Sequence, residues 1–237
     1  IFMKKIAIFY LFYIVIKNNL KFFINIFSIK KLLISKKIER ENKKLKEKKF
    51  DFFTKFSISD KSEEKILITT FLGIYDYLKY EYLIAIYLSN IEKKTLTVLV
   101  EENDKITKNF FLRKGINNFI YYKSRSNFFI RIKYLIKSYK LISHIKNVEN
   151  FVNFKYEGLP TGKIIYSHIC RFARIPTLKT IDHKFYNILA NYLHYANEFK
   201  EIIYKNKFKH FIQSETQFIP PAIFSGYALK KKCNMIS

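Results

Sequence analysis

Residues able to do chemistry are few in this chain, and they gather in its second half. The stretch FKYEGLPTGKIIYSHICRFARIPTL, residues 154–178, holds two of only 5 glycines and two of only 4 prolines. Its Gly162-Lys163 pair invites a phosphate-loop reading. Such a loop needs four residues between its first glycine and the Gly-Lys pair, followed by a Ser or Thr hydroxyl for magnesium. Here three residues separate Gly158 from Gly162, and Ile164 follows Lys163. A dinucleotide fingerprint fails too, since the third glycine is missing. What remains is a turn into a helix over 163–174, whose free N–H groups and dipole favour an anion. Tyr166, His168 and Arg171 project from that helix, His168 and Arg171 on one face, and with Gly158, Gly162 and Ser214 they form the candidate substrate-binding set.

Three further residues are candidates for catalysis. Glu215 ends an expected strand, where ligands gather in wound α/β folds and a carboxylate can take a proton from a hydroxyl. Asp76 holds the corresponding place after the first strand, just past Gly73. His183 follows Asp182 at a helix start and reads as a base or hydroxyl-binding group; capping is the plainer role for that pair. The five histidines, His144, His168, His183, His194 and His210, show no metal-ligand spacing, so no metal site is expected. Cys170 and Cys233 lie far apart, which argues against a disulfide framework and for a reducing compartment.

The elements that must position these groups read as an α/β chain. Short apolar runs at 65–73, 95–103, 118–124 and 209–215 alternate with amphipathic stretches at 75–94, 105–116, 128–145 and 182–207. Residues 220–232 add a helix opened by proline, and CNMIS a final strand. In the 182–207 stretch Phe185, Leu189, Leu193, Ala196, Phe199 and Ile203 fall three or four apart behind Asp182 as N-cap. This order predicts a Rossmann-like wound parallel sheet over 65–237. It ends on a strand just begun, as the first domain of a longer protein would.

Composition bounds the partners. The net charge is +25, with 44 lysines and arginines against 19 acids, 25 phenylalanines and 18 tyrosines. Lys, Ile, Asn, Phe and Tyr are inflated together, as AT-rich codons would do, so bias and an anionic partner compete to explain the charge. Only six of the basic residues are arginines: Arg40, Arg113, Arg125, Arg131, Arg171 and Arg174. Nucleic-acid readers favour Arg forks, and no nucleic-acid-binding motif is present, so nucleic acid ranks low. Residues 1–49 form a basic hydrophobic segment and a charged linker. The apolar run Ile6–Ile16 is too short for a membrane span. Its readings are a buried element or a basic, aromatic segment on the inner face of a membrane.

One resemblance rests on an ordered set of weak motifs. Tyr156, Gly158, Gly162, Ile165, Tyr166 and Arg171, the long helix, Ser214-Glu215 and AIFSGYALKKKCNMI resemble a segment of bacterial capsule and lipopolysaccharide biosynthesis proteins. The likeness covers about 65–237, best from 150 on. It implies one half of a GT-B-like glycosyltransferase, the acceptor side, with no cofactor in this chain. The partners it implies are a nucleotide sugar as donor and a glycan or lipid-linked acceptor. It further implies a cytoplasmic place, peripheral on the inner membrane face. The alternatives are a basic nucleic-acid-binding protein and a non-catalytic α/β remnant without a donor domain.

Overall fold

The computed structural model describes residues 63–237. The expected N-terminal segment and linker, 1–49, lies outside them. The described chain carries five strands, β1 (Lys65–Thr69), β2 (Thr95–Glu101), β3 (Phe119–Tyr122), β4 (Phe208–Ile212) and β5 (Asn234–Ile236). Seven helices accompany them: α1 (Tyr75–Glu92), α2 (Lys105–Arg113), α3 (Phe128–Ile142), α4 (Val148–Val152), α5 (Thr161–Ala173), α6 (His183–Lys205) and α7 (Pro221–Lys230). All strand pairs are parallel, in the order β3-β2-β1-β4-β5. The expected Rossmann-like wound sheet is therefore present. The chain winds outward from β1 to β3, then returns across β1 to β4, which makes the β1/β4 boundary the switch point.

Period-two alternation divides the sheet between two cores. Leu67, Leu99 and Phe211 pack with Phe185, Leu189, Leu193, Phe199 and Ile203 of α6 and with Ile223 and Phe224 of α7. Ile66, Ile68, Val98 and Val100 are also fully buried. They point to the opposite face, where α1 and α2 run and Tyr82, Phe110 and Phe111 meet edge to face. Right-handed crossovers require this division, since the winding reverses after β3. Near the carboxyl edge Phe71 contacts Tyr122, Phe199 and Phe224 with ring centroids 5.4–5.7 Å apart.

Helix starts follow the sequence. Asp182 caps α6 by accepting from Lys184 N at 2.8 Å. Asp104 caps α2, its two oxygens accepting from Thr107 N at 3.0 Å and Thr107 Oγ1 at 2.6 Å. Replacing Asp104 with Ala leaves both donors without this acceptor, so the urea midpoint is expected to fall by the equivalent of about 1 kcal/mol.

Two local readings need correction. The short helix α4 stands where the sequence offers at best a weak strand, FVNFKY. Its five residues, VENFV, are too few to carry a helical period, and Asn147 starts it by accepting from Asn150 N at 2.8 Å. The 75–94 stretch has apolar residues at helical spacing, Leu78, Ile84, Ala85 and Leu88, but Ile84 is exposed and the buried face is Leu78, Glu81, Tyr82, Ala85, Ile86 and Ser89. Apolar residues lie on both sides of this helix, so spacing alone did not tell the inner face from the outer.

Candidate functional site

The stretch 154–178 is built by packing. Tyr156 and Leu159 exchange backbone hydrogen bonds of 3.1 and 3.0 Å around Glu157 and Gly158, whose φ values are 48° and 74°. Two successive positive φ angles mark a type I′ turn, which favours glycine. Glu157 is fixed there by Lys200 at 3.0 Å and the Tyr227 hydroxyl at 2.9 Å. Burial would raise its carboxyl, but these two hydrogen bonds hold it below the ordinary range. At the start of α5 the N–H groups of Thr161 and Gly162 donate to Leu159 O and Phe154 O, both at 2.8 Å. Those two donors are thus occupied by the chain itself. Lys163 points to solvent.

The structure gathers some of the expected site residues and separates others. Arg171 reaches Glu215 at 3.3 Å and lies 4.7 Å over the ring of Phe218. The other Glu215 oxygen accepts from Thr216 N and Gln217 N at 2.8 and 2.7 Å. The His168 ring lies 4.5 Å from that of Phe172, and its Nδ1 is buried with no hydrogen-bond partner. Burial pushes its pKa down. Tyr166 is half-buried on the same helix. Asp76 is exposed in the first turn of α1, 3.3 Å from Lys79. His183 is exposed at the start of α6.

Ser214 meets a residue that sequence reasoning passed over. Glu81, buried on α1, accepts from Ser214 N at 3.1 Å and from Ser214 Oγ at 2.6 Å with one carboxylate oxygen. Desolvation lifts this carboxyl to about 7, against the pull of the Ser214 bonds. The pair sits at the carboxyl end of β4, on the switch-point side of the sheet.

Elsewhere on the carboxyl edge, at the ends of β2 and β3, opens a cavity of about 490 Å³ lined by Glu101, Glu102, Asn103, Lys123, Ser124, Arg125 and Tyr195. The frame under it is rigid. Ser124 Oγ donates to Glu101, Tyr195 OH donates to Ser124 O at 3.1 Å, and His194 Nε2 lies 2.8 Å from Lys123 O. That last contact makes His194 Nε2 the donor. Burial, and next the charge of Glu101, push the Tyr195 hydroxyl up to about 12, so it stays protonated as a donor. Two acids and two cations thus line one cavity at a carboxyl edge. Among the described residues no group of His, Cys, Asp and Glu is placed to hold a metal ion.

No protein-family model and no curated protein matches the sequence. The fold is similar to a solved structure of a cyclodipeptide synthase (CDPS) from Fluoribacter dumoffii. That likeness covers 80% of this chain and 92% of the other, at 11% identity and a TM-score of 0.34. A superposition so loose carries none of the synthase's chemistry to this chain.

The expectation of a sugar transferase is corrected here. A solved structure to which the chain is similar is a cyclodipeptide synthase, not a glycosyltransferase, and no family model or curated protein links the chain to sugar transfer. The motifs that suggested polysaccharide assembly are also met by local packing: the glycines by a tight turn and a helix contact, Ser214 by Glu81. Among the described residues no helix is long and apolar enough to cross a membrane.

The cavity residues carried a signal in the sequence. The strand TLTVLVEEN ends in acids and NFIYYKS runs into Lys123, Ser124 and Arg125. Ligands gather at strand carboxyl ends, and this holds for the second and third strands as much as for the first and fourth. Tyr195 could not be found that way, because α6 brings it from 71 residues beyond Ser124.

Proposed function

We propose that this chain is a small-molecule-binding α/β domain whose ligand sits in the cavity at the carboxyl ends of β2 and β3. One observation carries the reading: Glu101 and Glu102 from one strand end and Lys123 and Arg125 from the next line the same cavity. Mixed charge of this kind suits a small zwitterion. Its anionic group lies toward Lys123 and Arg125, and its amine toward Glu101 and Glu102. Tyr195 supplies an apolar wall and a neutral donor. The two cysteines, neither in a disulfide, support a cytoplasmic place for this binding.

The test is calorimetric titration of the full chain with a panel of free L-amino acids and, in parallel, nucleoside monophosphates. Amino acids are expected to bind. Glu102→Gln and Arg125→Ala are each expected to weaken them at least tenfold, about 1.4 kcal/mol. A panel in which nothing binds, or binding that neither substitution touches, rejects the assignment. Preference for the monophosphates would move it to an anion site.

A further inference from the structure

The outer face of α1 carries a seam that nothing in the described chain covers. Tyr77, Tyr80, Ile84, Tyr87 and Ile91 are all exposed, and their spacing is three, four, three and four residues. Tyr80 is 65% exposed, Tyr87 67% and Ile91 60%. Scattered surface apolars need no explanation, but this spacing is that of a helix seam made to pack against another helix. The opposite face of the same helix is already spent on the sheet. The helix is therefore apolar on two sides, and among the described residues only one of them is covered.

We infer that α1 pairs with α1 of a second copy of this chain, antiparallel, in a two-fold dimer. Three features select that occupant. A two-fold axis needs a self-complementary patch, and a seam of alternating Tyr and Ile is one: Ile84 of one copy lies beside Tyr87 of the other, and Tyr80 beside Ile91. The charges of this face sit at the two ends of the seam, Asp76 and Lys79 at one and Lys93 at the other, while Glu92 is turned to Lys209 and His210 at 3.0 and 2.8 Å. Antiparallel pairing sets the exposed Asp76 near Lys93 of the second copy, whereas parallel pairing sets Asp76 on Asp76 and Lys93 on Lys93. The exposed parts of these five side chains and Ile74 amount to roughly 600 Å² per copy, about 1,200 Å² in a pair, which reaches the range of specific interfaces. The cavity at the sheet edge is lined by none of these residues, so the dimer stands independently of the ligand proposal.

Sedimentation equilibrium of the full chain reads the mass directly. The wild type is expected to be a dimer. Tyr87→Glu, and more strongly the Tyr80→Glu/Tyr87→Glu double variant, are expected to raise the dimer dissociation constant at least 100-fold. Helical circular dichroism should not change, because both side chains point away from the core, and the melting temperature should fall only by the stabilisation that dimerisation supplied. A monomeric wild type overturns the inference, as does a dimer that survives both variants with their folds intact. Loss of folding in both would show that this face is covered within the chain itself, which also overturns it. A wild type that is monomeric but binds anionic vesicles through these tyrosines assigns the seam to a membrane surface instead.

Discussion

Gly162→Ala is expected to destabilise the chain by more than about 3 kcal/mol, enough to leave much of it insoluble on expression. A Cβ built on Gly162 would lie 1.7 Å from Phe151 O, 2.8 Å from Phe151 C and 2.9 Å from Val152 O. All three are backbone atoms of α4 and have no rotamer to escape into. They are held in turn by Phe154 N, which donates to Phe151 O at 2.9 Å, and by Gly162 N itself, which donates to Phe154 O. Relief requires α4 and α5 to part, and with them the packing of Phe151 against Phe185, whose rings lie 4.7 Å apart. The other glycines give the scale. A Cβ at Gly158 would meet the movable end of Lys230, and one at Gly115 nothing within 4 Å. Their cost comes from φ of 74° and 80°, about 1 kcal/mol each. Urea unfolding of the three variants should rank Gly162→Ala far below the other two. Equal losses, or a well-folded Gly162→Ala, would show that α4 and α5 are not in that contact.

That ranking also explains how far the sequence could be read. The sheet and its order of elements were legible, because a buried parallel strand such as TLTVLVE has no polar face to confuse it. The six core positions of α6 were legible too: all of Phe185, Leu189, Leu193, Ala196, Phe199 and Ile203 are buried behind an Asp182 cap. Rejecting the phosphate loop on spacing agrees with the turn and the packed helix start found there. What a single sequence does not encode is which element a glycine must let pass. The residues next to Gly162 predict only a turn into a helix, whereas its constraint comes from Phe151, eleven residues upstream. Glu81 was invisible for the same reason, since its meaning depends on Ser214, 133 residues away in the chain. In α1 the apolar pattern was legible but ambiguous. Tyr and Ile occupy two faces, and only the sheet decides which is core.

Glu81 should make the chain less stable as pH rises from 4.5 to about 7. Its folded carboxyl titrates at about 7 and its ordinary value is 4.5, with burial as the main cause. Between those values the folded chain holds a proton that the unfolded chain has released, so raising the pH favours unfolding. Below 4.5 both states are protonated and Glu81 costs nothing. Above 7 both are ionised and the whole cost of a buried carboxylate is present, on the order of 3 kcal/mol. Other carboxyls act with the opposite sign: Glu92 and Glu157 are held below their ordinary range and give stability that is lost on acidification. The wild-type curve therefore sums opposing slopes, and the informative quantity is its difference from Glu81→Gln. The amide carbonyl still accepts from Ser214 but carries no charge at any pH. Urea midpoints are expected to match near pH 4 and to separate steadily toward pH 8, with the Gln variant the more stable by roughly 2–3 kcal/mol. Curves that stay parallel across this window would mean that Glu81 titrates normally, in contact with water. The strand end would then be fixed by Gln213, whose Nε2 donates to Glu215 O at 2.7 Å and Pro221 O at 3.1 Å, and not by a carboxylate poised near neutrality.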